Sequence, residues 1–192
     1  MHEQQRIRLA VFDLGGVLID IDFARAFSTW QRKSALSLED VRQRFKFDLP
    51  YERHERGEIE GMEYFRHLIA TLELEDDVAL VTQGGNSIFV REIEETTAVV
   101  RAMQGHLPCY AFTNTNATHM AAWSDLFPHV AACFNRVSAS HLMGLRKPEL
   151  AAFSYISQET GIEPESIVFF DDLPENVTGA INAGLHGVLV RS

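Results

Sequence analysis

The sequence predicts a doubly wound α/β protein, a parallel sheet with a small helical segment inserted after its first strand. Three observations point there. Short apolar runs recur along the chain, helical patterns separate most of them, and glycines stand where those helices would stop. Strands that alternate with helices build a parallel sheet covered on both faces.

The elements follow in order. IRLAVFD, residues 7–13, is apolar nearly throughout from Leu9, as suits a strand buried on both sides. Residues 20–92 break the rhythm. Phe23, Phe27 and Trp30 stand at helical spacing, Ser37 and Asp40 of SLEDVRQRF match a capping box, and GEIEGMEYFRHLIATL (57–72) is a further helical pattern. This region shows no strand pattern. It reads as a helical insertion over 20–92, with residues 1–19 and 93–192 forming the α/β core. EIEETTAVVRAM (92–103) is a helix stopped by Gly105. LPCYAFT (107–113) and CFNRVS (133–138) are strands. Pro148 is placed in the first turn of a helix that Gly161 closes. SIVFFDD (166–172) and HGVLV (186–190) are strands, with the short helix ENVTGAINAG (175–184) between them.

Composition narrows the function. The 192 residues carry 27 acidic and 17 basic side chains, a formal charge of −10. That balance argues against nucleic acid or an anionic membrane as a partner, because both need clustered Lys and Arg. An anionic substrate would need a local cation or a specific lysine. Cys109 and Cys133 lack metal-site spacing and sit in apolar stretches, as free buried thiols of a reducing cytosol do. MHEQQRIR has no apolar signal core, and no run approaches about 20 apolar residues. The expectation is a soluble cytoplasmic protein.

In open α/β sheets ligands bind beyond the carboxyl ends of the strands. The first strand ends in Asp13, the 107–113 strand in Thr113-Asn114, and the 166–172 strand in Asp171-Asp172, while Lys147 precedes Pro148. Each has a plain structural reading. Asp13, Thr113 and Asn114 could cap helices, and Lys147 could be solvated. Together, three carboxylates, a hydroxyl and a lysine at sheet ends form a coherent site.

FDLGGV, FTNTN, RKP and FFDD, in that order on those elements, resemble the haloacid dehalogenase superfamily, whose commonest members are magnesium-dependent phosphatases. The resemblance spans the whole chain. It implies a Rossmann-like core and makes the insertion a helical cap. FDLGGVLIDIDF (12–23), HERGEI (54–59), NTN (114–116), RKPE (146–149) and FFDD (169–172) are similar to a bacterial subgroup acting on alpha-D-glucose 1-phosphate.

The resemblance implies a chemistry. Asp13 would be the nucleophile, forming an aspartyl-phosphate that splits one hard displacement into two. Mg²⁺, which prefers hard oxygen ligands, would relieve repulsion between Asp13 and the phosphate. Asp13 and Asp172 are the best carboxylate ligands, and the Gly15 carbonyl is a third. Asp171 is a ligand or a partner of Lys147. Thr113 offers its hydroxyl and Asn114 its backbone N–H to the phosphate of a small metabolite. Lys147 adds a point charge. Asn176 either supports the acidic cluster or lies on a helix surface.

Gly16 fits the turn that wraps a phosphate. Gly15 departs from the pattern. Most phosphatases of this family carry a second Asp there, the general acid and base. Such help is worth roughly 10² to 10⁴ in rate. Its loss matters least for an acidic leaving group, so a sugar 1-phosphate is a sensible substrate. His54, Glu55, Asp20 and Asp22 are candidate replacement acids. HERGE itself is either a solvated turn or a part of the cap that shapes the cavity. His106, His119, His129 and His141 have no ligand spacing and read as bystanders. The competing functions are a catalytically silent phospho-ligand-binding module and a metal-free 2-haloacid dehalogenase.

Overall fold

The computed structural model describes residues 6–191, so the first five residues of MHEQQRIR lie outside the described residues. The main sheet contains β1 (Leu9–Phe12), β4 (Cys109–Thr113), β5 (Arg136–Ala139), β6 (Ile167–Asp171) and β7 (His186–Leu189). Its order is β5-β4-β1-β6-β7, and every neighbouring pair is parallel. β1 is the central strand, with Ala10 facing Cys109 on one side and Val168 on the other. The chain adds strands to one side of β1 and then crosses to the other. The switch in strand order therefore falls at β1, where a ligand crevice opens.

The predicted all-apolar strand is buried at all four residues because both faces are covered. Ala10 and Phe12 pack with Val100, Trp123 and Val130, carried by α6 (Glu94–Met103), α7 (Ala117–Leu126) and α8 (Pro128–Ala131). Leu9 and Val11 face the other way, toward α10 (Leu150–Thr160) and α11 (Pro174–Asn182). There Phe153 meets Phe112 and Phe169 edge-on, at ring separations of 5.5 and 5.3 Å. Gly161 closes α10 in the left-handed conformation, as expected.

Between β1 and α6 lie β2 (Ile19–Ile21), α1 (Phe23–Gln31), α2 (Leu38–Arg44), α3 (Leu49–Glu55), α4 (Gly61–Thr71), α5 (Val78–Asn86) and β3 (Phe89–Glu92). The helices share a core of their own around Trp30, Phe45, Tyr64 and Leu68. Trp30 Nε1 donates to the Val81 carbonyl at 3.1 Å, tying α1 to α5. Ser37 caps α2 through the Asp40 amide, as its motif predicts.

Three expectations need correction. No strand was expected within 20–92, yet β2 and β3 pair antiparallel there. They hold three and four residues, too few for a visible alternation, and their partners lie about 70 positions apart in sequence. CFNRVS begins its strand three residues late, at Arg136, because Asn135 instead turns its side chain to accept the Cys109 amide at 2.9 Å. Pro148 precedes its helix, with Glu149 as the residue just before the first turn, and the Lys147–Pro148 bond is cis. A last short helix, α9 (Ser140–Met143), follows β5.

Candidate active site

The carboxyl ends of β1, β4 and β6 bring together residues far apart in sequence. Asp13, Gly15, Thr113, Asn114, Lys147, Asp172 and Asn176 all line one cavity of about 500 Å³. Asp171 lies beneath its floor, fully buried.

Lys147 is the hub. Its ammonium lies 2.7 Å from Asp13 Oδ1 and 2.8 Å from Asp171 Oδ2, with the Phe112 and Phe169 rings each 5.3 Å away. Burial works against its charge, but Asp13 and Asp171 overcome that, and the pKa is raised. Burial pushes Asp13 up to about 6, opposed by Lys147 and helped by the negative charge of Asp171. A solvated lysine is thus excluded for Lys147, which is 1% exposed.

The loop before Lys147 is held by Asn114. Its Nδ2 donates to the Lys147 carbonyl and its Oδ1 accepts the Lys147 amide, both at 2.9 Å. The side chain of Asn114 therefore braces the lysine loop. Thr115 is braced in turn by Ser140, whose hydroxyl accepts its amide at 2.8 Å and donates to its carbonyl at 2.9 Å. Asn116 caps α7. Thr113 differs from these neighbours. Its buried hydroxyl is 3.5 Å from the Asn114 carbonyl, at the outer limit of a hydrogen bond, and is ready for a stronger acceptor.

The two acids of β6 divide. Asp171 accepts from Lys147, from Asn176 Nδ2 at 3.0 and 3.1 Å, and from the Leu173 amide at 2.9 Å. Its Oδ2 holds Lys147, its Oδ1 takes the Leu173 amide, and Asn176 supports the acidic cluster through both. Asp172 is half-buried, and burial followed by the charge of Asp171 raises its pKa. Gly16 has φ +75°, and a Cβ there would overlap Asp172 Oδ2. The glycine turn thus makes room for that carboxylate beside Asp13. Asp13, Asp171 and Asp172 each place an oxygen within 4.8 Å of the others. A compact set of hard oxygens is the donor chemistry that Mg²⁺ takes.

HERGE is no solvated turn. His54 and Glu55 are buried, and Glu55 reaches the cavity wall. Arg146 donates to Glu55 Oε2 from Nε and Nη2, at 3.0 and 2.9 Å. Arg56 Nε donates to Glu149 at 3.0 Å. HERGE and RKPE are therefore two halves of one ionic contact. Gly57, at φ +67°, packs so closely on the His141 carbonyl that a Cβ would overlap it. Burial of Glu55, resisted by Arg146, raises its pKa.

The other suggested acids separate. Asp22 caps α1 through the Ala24 amide, and Asp20 pairs with Arg91 on the surface. Neither lines the cavity. His54 lines a narrow slot beside it, stacked on Tyr64. His119 is no bystander, for it lines both spaces and meets Phe89 edge-on. Burial lowers its pKa to about 4, so it is neutral near pH 7. Cys109 and Cys133 are free and buried, as expected.

The family model described as haloacid dehalogenase-like hydrolase matches residues 7–184. The sesquiterpene phosphatase astK of Aspergillus oryzae is 26% identical over 184 residues, 94% of this chain and 88% of its own. Phosphatase MT3486 of Mycobacterium tuberculosis is 29% identical over 192 residues, 96% of this chain and 87% of its own. A HAD family enzyme from Bacteroides thetaiotaomicron, solved with magnesium and inorganic phosphate, superposes with a TM-score of 0.84 at 23% identity. That superposition covers 96% of this chain and 94% of the other.

Proposed function

The chain belongs to the haloacid dehalogenase-like hydrolases, and from that premise we propose that it is a Mg²⁺-dependent phosphomonoesterase working through an aspartyl-phosphate. One observation carries the reading: a buried lysine bridges Asp13 and Asp171 at the switch point of the sheet, with Asp172 alongside. Two relatives named as phosphatases, matched over 88% and 87% of their length, support it.

Asp13, Asp172 and the Gly15 carbonyl would hold Mg²⁺, which when bound offsets the charge that Asp13 and the phosphate share. Asp13 attacks phosphorus, forms a P–O bond and expels the alcohol oxygen, which takes its proton from water because residue 15 carries no acid. Water then attacks the phosphorus and passes its proton to the hydroxide left by the first step, the bond from Asp13 to phosphorus breaks, and inorganic phosphate leaves with the Asp13 carboxylate restored. Thr113 and the Asn114 amide donate to the phosphoryl oxygens, and Lys147 offsets their charge. Asp171 positions Lys147. Residues 20–92 serve as the cap over a core of 1–19 and 93–192, with Glu55 and Arg146 at the seam.

The substrate is a small phosphorylated metabolite. A sugar phosphate such as glucose 1-phosphate is the ester that the sequence resemblance favours. Two free, buried cysteines support a reducing compartment such as the cytoplasm. Among the described residues no helix is long and apolar enough to cross a membrane. Phosphate release from a panel of phosphorylated metabolites, with Mg²⁺ and with EDTA, tests the reading. Turnover that EDTA abolishes supports it. Phosphate-ester binding without turnover would make the chain a silent phospho-ligand module.

A further inference from the structure

The cavity has two halves of different chemistry. Its floor is polar, formed by Asp13, Thr113, Lys147 and Asp172. Its upper wall is apolar. Ile21, Phe23, Phe47, Tyr51, Ile88 and Phe89 all line it. Phe47 is 59% exposed and borders the cavity. Its ring meets Phe23 and Tyr51 edge-on at 5.4 and 4.9 Å, which fixes it at the cavity wall.

The charged pair at the edge of that upper half is engaged with itself. Glu55 takes both bonds from Arg146, and Arg146 also lies 3.4 Å from Glu52. On the floor, the Asn114 side chain is spent on the Lys147 backbone and that of Asn176 on Asp171. His119, neutral near pH 7 and nearly perpendicular to the Phe89 ring, and Glu175 are the other polar side chains near that wall. A sugar carries hydroxyls in every direction. Set here, several would lose water and face rings and methyls, and each unpaired hydroxyl is costly. A hydrocarbon group would lose nothing and gain the burial of its own surface.

The apolar wall also continues. A slot of about 30 Å³ shares Phe23, Tyr51, Ile88 and His119 with the cavity and runs in among Trp30, Phe45 and Leu68, with His54 and Asn86 also on its walls. It has room for no more than the end of a chain.

We propose that the substrate is the phosphate monoester of an apolar alcohol, with the phosphate on the polar floor and the hydrocarbon against the Phe23–Phe47–Phe89 wall. This rests on the phosphatase reading above and sets an apolar ester in place of the sugar phosphate that the sequence resemblance favours.

The test is a homologous series with Mg²⁺: ethyl, butyl and hexyl phosphate, with glucose 6-phosphate and glucose 1-phosphate as sugar counterparts. The alkyl esters share one leaving-group acidity, so their differences report contact with the wall. We expect kcat/KM to rise by up to roughly fourfold for each methylene buried, and hexyl phosphate to exceed both sugar esters. Phe47→Ser should lower the hexyl-to-ethyl ratio severalfold. The residue is exposed enough that its loss opens no core. Binding of ethyl- and hexylphosphonate, measured by calorimetry, supplies a readout free of turnover. A flat alkyl series beside efficient sugar-phosphate turnover overturns the apolar substrate and leaves the phosphatase reading standing. No turnover of any ester, with hexylphosphonate still bound more tightly than ethylphosphonate, overturns the phosphatase reading and leaves the apolar site standing. Equal or absent phosphonate binding together with no turnover overturns both.

Discussion

Arg146 makes two hydrogen bonds to one oxygen of Glu55, joining helix α3 to the loop that carries Lys147. The next residue along that loop holds both Asp13 and Asp171. Contact between the helical segment and the core therefore bears on the position of the lysine. Breaking a buried pair by removing one partner strands the other charge and costs about 3–5 kcal/mol. Glu55→Ala should lose stability near the lower end, because Glu52 is 3.4 Å from Arg146 and offers a substitute. Denaturation of Glu55→Ala, Arg146→Ala and the double variant checks this. The double variant should fall short of the sum of the singles by more than about 0.5 kcal/mol. Additive losses would mean the pair does not act as a unit.

Asp13→Asn should abolish turnover and keep the fold. Asparagine retains the size of the side chain but cannot attack phosphorus, and Lys147 keeps Asp171 as a partner. Phosphate release and the near-ultraviolet circular dichroism of the purified variant decide the matter. Near-normal turnover in a folded variant would remove Asp13 from the covalent step.

Asp171 and Asp172 are adjacent, yet their variants should fail differently. Asp172→Ala removes a carboxylate from the cavity floor, so the Mg²⁺ needed for half-maximal activity should rise roughly tenfold or more. Asp171→Asn weakens the hold on a buried lysine, so its first effect should be on stability, by up to about 3–5 kcal/mol. Mg²⁺ titration of activity and thermal unfolding, run on both variants, separate the two. Identical profiles would contradict the division of roles.

The floor of the site was legible in the sequence because strand ends are legible. Asp13, Thr113 and the Asp171-Asp172 pair each end an apolar run, and parallel topology brings such ends together. Glu55 with Arg146 was not, since the partners lie 91 positions apart and nothing local in HERGE marks burial. The β2–β3 pairing escaped for the same reason. Asn114 was expected to act through its amide, and only the geometry shows its side chain holding the Lys147 loop. Phe23 stands at helical spacing with Phe27 and Trp30, yet its ring also meets Phe47 at the cavity wall. Spacing says which residues share a face, not that a face also borders a cavity.

His54 predicts an acid-sensitive fold. Burial, then the neighbouring His141, lowers its pKa from 6.5 to about 4. The folded state thus resists a proton that the unfolded chain accepts. Stability from this residue is full above the unfolded pKa of 6.5 and is lost as pH falls toward 4. Other buried groups titrate too, so the variant must isolate it. His54→Phe keeps an aromatic ring against Tyr64 but cannot be protonated. Its melting temperature relative to wild type should rise between pH 7 and pH 5. A difference independent of pH would show that His54 is not the acid-sensitive group.

Gly15→Asp should change which esters react best. Gly15 has no left-handed φ, so an aspartate meets no backbone strain there. A Cβ would come 3.1 Å from Ile21 Cδ1, the tip of a side chain that is 36% exposed and has room to move a few tenths of an ångström. The new carboxyl would stand two residues after Asp13, beside the departing alcohol. A general acid helps most where the leaving oxygen most needs a proton, and can be worth roughly 10² to 10⁴. Ethyl phosphate should therefore gain relative to phenyl phosphate. The measurement is the ratio of their kcat/KM values in one protein, because misfolding or weaker Mg²⁺ binding depresses both together. Ile21→Val in the same chain removes the one close contact and guards against a crowding artefact. A higher ethyl-to-phenyl ratio in the double variant would show that position 15 lacks an acid. An unchanged ratio, in a folded and Mg²⁺-responsive protein, would mean that protonation of the alcohol is not what limits this enzyme.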